Sequence, residues 1–182
     1  MRKILYIGAT AAMVLAVSAT ATAASASPSP QAADSMLAAA TATRILVSHS
    51  ESCMSIPGGS KTDGVQATQF DCEPNGPAKR FYPEPQGTDS WGNPIFTLRN
   101  EASRLCLGDF EPGSPEAGDP VRQSTCSSLW SWDKAGRLVL LASTYPGGQH
   151  LCLAVPHAWK ANNIGLIVWP CNSGREQVWT EY

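Results

Sequence analysis

The sequence predicts an all-β domain built from three like units, and three observations predict it. The six cysteines of the 182-residue chain fall into pairs of nearly equal span, Cys53 with Cys72, Cys106 with Cys126 and Cys152 with Cys171, at separations of 19, 20 and 19 residues. Gly64, Gly118 and Asn163 each stand eight residues before the second cysteine of their pair. Glycine enters the left-handed backbone region freely and asparagine is among the few residues that tolerate it, so one turn is expected three times. Short apolar runs alternate with Gly, Pro, Asn and Ser clusters, and no segment sustains a 3.6-residue period. That pattern is one of strands every 8–12 residues, and self-similarity at 40–50 residues is a fold signature in its own right.

In chain order, the first element is a leader. Arg2 and Lys3 precede an uncharged apolar stretch from Ile4 to Val17, and Ala24-Ser25-Ala26 fits a cleavage site, so residues 1–26 read as a secretory signal peptide. The stretch is shorter than the ~20 residues a membrane span needs. The mature protein is therefore expected outside the cell, where an even number of cysteines implies a disulfide framework. Six cysteines allow 15 connectivities, and pairing within each unit is the simplest. Residues 27–43 are rich in Ala, Ser, Pro and Thr. They hold too little apolar surface to offset ordering entropy and read as a flexible arm, with Met36 and Leu37 its apolar handles. Residues 44–182 suit one domain.

The three units align on their cysteines. The first runs from Ile45-Leu46-Val47 through Cys53-Met54 and Phe70-Asp71-Cys72 to Lys79-Arg80-Phe81. The second runs from Phe96-Thr97-Leu98 through Cys106-Leu107 and Thr125-Cys126 to Trp130-Ser131-Trp132. In the third, Leu138-Val139-Leu140 leads to Cys152-Leu153, Trp169-Pro170-Cys171 and Gln177-Val178-Trp179. A unit of about four short strands cannot close a core alone, but three can pool their apolar faces around a pseudo-threefold axis. Leu46, Met54, Phe81, Leu98, Leu107, Trp132, Leu140, Leu153 and Trp179 are the expected contributors. The arrangement is a β-trefoil.

The triplicate grammar of Cys-Leu, turn glycine, aromatic-x-Cys and Gln-x-Trp resembles the ricin B-type lectin family over residues 44–182, most closely in the third unit. The resemblance implies sugar recognition by an Asp two residues after a unit's first cysteine, an aromatic near the second cysteine, and an Asn or Gln near the Gln-x-Trp. The carboxylate slot departs in every unit, holding Ser55, Gly108 and Ala154. Hydroxyls desolvated without that partner cost about 1–3 kcal/mol. The third unit keeps Trp169 and Gln177, with Asn162 in the turn and His157 and Trp159 in the loop between its cysteines. Trp169 can equally cover the disulfide, and Gln177 can cap strand ends. The second unit offers Asp109 one residue late, with Phe110 as a platform if the loop folds back, and the first offers Phe70.

The formal charge of −2 and pI near 5.9 argue against nucleic acid or an anionic membrane as the main target. No nucleophile–base pair, phosphate-cradling glycine loop or metal-ligand cluster is legible, so neither catalysis nor a cofactor or metal is expected. The expectation is a secreted, non-catalytic, lectin-like trefoil. Its role is that of an interaction or assembly subunit with a secreted partner protein, engaged through the arm and the loops, with residual glycan binding in the third unit. A working glycan-binding lectin is the alternative, and a trefoil-type protease inhibitor a weaker one. Trp91, in the connection between the first two units, is a contact candidate for sugar or protein.

Overall fold

A computed structural model describes residues 41–110, 115–145 and 149–182, and Ala39–Tyr182 forms one compact unit. The leader 1–26 and most of the arm lie outside the described residues. The first repeat contributes β1 (Thr43–Val47), β2 (Cys53–Ser55), β3 (Thr68–Phe70) and β4 (Arg80–Thr88). The second contributes β5 (Pro94–Asn100), β6 (Cys106–Asp109), β7 (Arg122–Ser124) and β8 (Trp130–Trp132). The third adds β9 (Leu138–Tyr145), β10 (Gln149–Ala154), the two-residue β11 (Ile164–Gly165), β12 (Ile167–Pro170) and β13 (Trp179–Glu181).

Outer strands of the repeats form a closed wall. β4 pairs with β1 and β5, β8 with β5 and β9, and β1 with β13, all antiparallel. A bridge between Arg137 and Val178 joins the start of β9 to β13. Inner strands make the hairpins β2–β3, β6–β7 and β10–β12, each tied by its disulfide, Cys53–Cys72, Cys106–Cys126 and Cys152–Cys171. Each bridge closes a loop of about 20 residues and removes roughly 3 kcal/mol of unfolded-chain entropy.

The hairpins meet on the pseudo-threefold axis. Ala67, Val121 and Leu166, each fully buried and five residues before its second cysteine, hydrogen-bond in a ring. Ala67 N–H donates to Val121 O at 2.9 Å, Val121 to Leu166 at 2.9 Å and Leu166 to Ala67 at 2.8 Å. Gly64, Gly118 and Asn163 all take positive φ, at 76°, 99° and 63°. Their N–H groups donate to Gln123, Val168 and Gln69, each three residues before a second cysteine. The expected turn therefore occurs three times, and each copy grips the next repeat.

Met54, Leu107 and Leu153 fill the core beneath the hairpins, with Phe81, Leu98, Leu140 and Trp179 from the wall. Two expected core residues are corrected. Ile45 and Val47 are buried and Leu46 is half-buried, because strand alternation sends every second side chain outward. In β8 the buried tryptophan is Trp130, and Trp132 packs on the core from outside against Phe96. Trp130 Nε1 donates to Leu107 O and Trp179 Nε1 to Leu153 O. Trp130, two residues earlier than expected, is thus the counterpart of Trp179, and Ser128 that of Gln177.

Candidate functional site

The three sites implied by the repeats have diverged in different ways. In the second, Gly108 takes φ 116°, and a Cβ there would overlap Ser128, whose hydroxyl donates to the Gly108 carbonyl. No carboxylate fits that slot, and Ser124 replaces the aromatic. Asp109 sits in register with Arg122 on the bulged β6–β7 pair. Phe110 is no platform, because it is partly buried against the core. In the first repeat Ser55 is buried, and the Lys79 ammonium lies over the Phe70 ring at 5.1 Å while donating to Pro74 O. Phe70 therefore already carries a cation on its ring.

The third repeat keeps an open groove of about 560 Å³. One wall is the Pro156–Ala158 turn with Ala154 and Val155, and the other is the segment that carries Asn172, Glu176 and Gln177. Trp169 stands on β12 at the rim, 46 % exposed, with its ring against Gly118 of the second repeat. The walls are joined where Val155 N–H donates to Glu176 O at 3.1 Å.

Gln177 lies beneath the groove without offering its amide to it. It is fully buried, accepting from Asn172 N–H at 2.9 Å and donating to Pro170 O at 3.1 Å. Both ends of the amide are occupied within the repeat, as strand capping requires. Asn162 is also committed elsewhere, donating to the Asp71 carboxylate at 2.8 Å and accepting from Asp71 N–H at 2.9 Å. Trp159 is 54 % exposed and stands behind His157, ring centroids 5.0 Å apart. Of the sequence candidates, the structure brings only Trp169 and Gln177 to one groove.

One groove residue escaped the sequence reading. Glu176 lines the groove together with the Pro156–Ala158 turn, and a side chain at Gly174 would strike its carboxylate. The carboxylate absent at Ala154 thus has a counterpart elsewhere in the lining, on Glu176. The signal was available, since Glu176 directly precedes Gln177 where the resemblance places an amide. Trp169 supplies an aromatic face and Glu176 an acceptor, and the Asn172 side-chain oxygen accepts from Gly174 N–H. This is the pairing a shallow polar-ring ligand needs.

No protein-family model matches the chain, and no curated protein does. Solved structures do. The designed threefold-symmetric protein ThreeFoil aligns with 22 % identity over 77 % of this chain and 96 % of its own, TM-score 0.63. The ricin B-like lectin of Macrolepiota procera, solved with lactose, aligns with 15 % identity over 80 % of this chain and 96 % of its own, TM-score 0.58. The C-half of the earthworm R-type lectin, solved with GalNAc, aligns with 12 % identity over 77 % and 96 %, TM-score 0.56. At these identities the likeness is one of fold, the β-trefoil.

Proposed function

We propose that this ricin B-type β-trefoil is a secreted, non-catalytic, lectin-like domain that recognises an extracellular saccharide through its third repeat alone. One observation carries the reading: Trp169 is held half-exposed in a groove that Glu176 also lines. A pyranose lays its C–H face on an indole, and a carboxylate accepts from adjacent hydroxyls. The lactose and GalNAc carried by two proteins of like fold support a saccharide as the ligand. A single site is weak, so the domain acts as a low-affinity anchor or as one module of an assembly.

A second reading, an assembly subunit that docks a secreted partner protein, is favoured by Trp91. It is 79 % exposed at the tip of the β4–β5 hairpin, which supplies none of the groove-lining residues. Large exposed aromatics of this kind anchor protein interfaces. Glycan-array binding by the wild type, Trp169→Ala and Trp91→Ala separates the two. A saccharide signal that drops at least about tenfold in Trp169→Ala, the equivalent of ~1.4 kcal/mol, and survives in Trp91→Ala supports the groove. A signal indifferent to Trp169, or a partner captured from culture supernatant only while Trp91 is present, sinks it in favour of the assembly reading.

A further inference from the structure

The geometry points to His157 as a ligand contact, held in an unfavourable backbone conformation, that takes over the hydroxyl pairing Ala154 cannot supply; this rests on the saccharide reading above. Two turns of the fold match. Pro57–Gly59 in the first repeat and Pro156–Ala158 in the third occupy corresponding places, four residues after the first cysteine. The first turn places Gly58 and Gly59 at φ 61° and 63°. The third places His157 and Ala158 at φ 53° and 51°. Residues with a Cβ are penalised in this region and glycine is not.

The first repeat is an internal control for what the turn itself requires. Its closing hydrogen bonds, Gly59 N–H to Ile56 O at 3.0 Å and Ser60 N–H to Pro57 O at 3.1 Å, recur as Ala158 to Val155 at 3.3 Å and Trp159 to Pro156 at 3.2 Å. The tether recurs too. Gln123 Nε2 donates to Ser60 O and Thr62 O at 2.9 and 2.7 Å, and Gln69 Nε2 to Trp159 O and Ala161 O at 2.6 and 2.8 Å. Two glycines complete the same turn without strain, and the space at Gly58 is open. The fold therefore has no use for an imidazole here.

The groove does. His157 and Glu176 both line it, and Trp159 stands 5.0 Å from the His157 ring. Strain of this kind persists only where the surroundings over-determine the backbone. They do so here through the Gln69 tether, the bond of His49 Nε2 with Trp159 O at 2.9 Å, and the paired Asn162–Asp71 contacts. A neutral imidazole carries one donor and one acceptor, as a hydroxyl does, whereas Glu176 only accepts. A neutral pyranose stacked on Trp169 thus meets a donor–acceptor on one wall and an acceptor on the other. Trp159 is then a positioning residue that acts through His157.

The test uses the full chain, calorimetric titration against lactose, N-acetylgalactosamine, β-1,3-galactobiose, xylobiose and diacetylchitobiose, and thermal unfolding. His157→Gly is expected to raise Tm by about 2–4 °C, since relief of strain converts to a shift of that size in a domain like this one. It is also expected to weaken the best-bound saccharide at least about tenfold. The reciprocal Gly58→His is expected to lower Tm and leave saccharide affinity unchanged, which separates strain from binding. Failure of the wild type to bind any of the five, or binding that Trp169→Ala leaves intact, overturns the groove reading and this inference with it. Loss of binding in Trp169→Ala with full binding in His157→Gly overturns this inference alone. A Tm that does not rise in His157→Gly removes its physical basis.

Discussion

At Gln177 one side chain shows how a family signature divides between scaffold and site. Its amide is fully buried and both ends are used, by Asn172 N–H and Pro170 O, so the residue organises the turn below the groove. Truncation leaves a buried cavity and removes partners from two backbone groups. Gln177→Ala is therefore expected to cost about 2 kcal/mol in urea-unfolding experiments, and any loss of saccharide binding should track unfolding. Trp169 behaves oppositely, because half of its ring already faces water and its removal touches binding more than stability. Sequence spacing locates both residues but cannot separate these roles. Trp169 stands two residues before the second cysteine and Gln177 six after it, and only packing decides which is enclosed.

The elements show how a repeat becomes specialised. Each loop between paired cysteines is gripped by the next repeat, at a position three residues before that repeat's second cysteine. Gln69 holds the third loop and Gln123 the first, while the corresponding residue facing the second loop is Val168, which has no side-chain donor. Asn100 plays a similar part at the end of β5. Fully buried, it donates to the Ala78 and Arg80 carbonyls and accepts from Ala102 and Ser103 N–H. On the β4–β5 hairpin, Arg99 Nε donates to Glu84 at 2.6 Å, and this bond holds the Glu84 carboxyl below its ordinary value. A depressed carboxylate contributes stability that is present above the unfolded value of about 4.3 and is lost as pH falls through the lower folded value. Both side chains are nearly a third exposed, so solvent screening keeps the contribution below about 1 kcal/mol. Tm followed from pH 6 to pH 2 should fall less steeply in Glu84→Gln than in the wild type, and the two should converge at the acid end. A parallel fall would remove the pair from the acid response.

Across the whole molecule, the ring of Ala67, Val121 and Leu166 and the three gripping turns make the repeats interdependent, so the domain should unfold as one unit. Each disulfide contributes roughly 3 kcal/mol by chain entropy. Three together are comparable with the 5–15 kcal/mol net stability of a typical domain. Reduction with excess dithiothreitol is therefore expected to abolish the folded near-ultraviolet circular dichroism at 25 °C. Cys126 is exposed while Cys72 and Cys171 are half-buried, so the Cys106–Cys126 bridge should be the first to be alkylated under limiting reductant. Retention of the folded spectrum after full reduction would place the stability in the core alone.

The sequence by itself determined the threefold architecture. Covalent pairing and left-handed turns depend on residue identity at fixed spacing, and both survive wherever the chain goes. Hence the three disulfides and the positive φ at Gly64, Gly118 and Asn163 were legible from composition and interval. Strand facing was less so, because Ile45-Leu46-Val47 is apolar on both faces and Trp130-Ser131-Trp132 offers two large aromatics of which only Trp130 is enclosed. The site was decided by tertiary structure. Glu176 and His157 lie nineteen residues apart in the chain and line one groove, where Val155 and Glu176 are joined backbone to backbone. The strain at His157 becomes visible only beside Gly58, once folding has set the two turns in the same conformation. A groove is a relation between surfaces, and packing creates it.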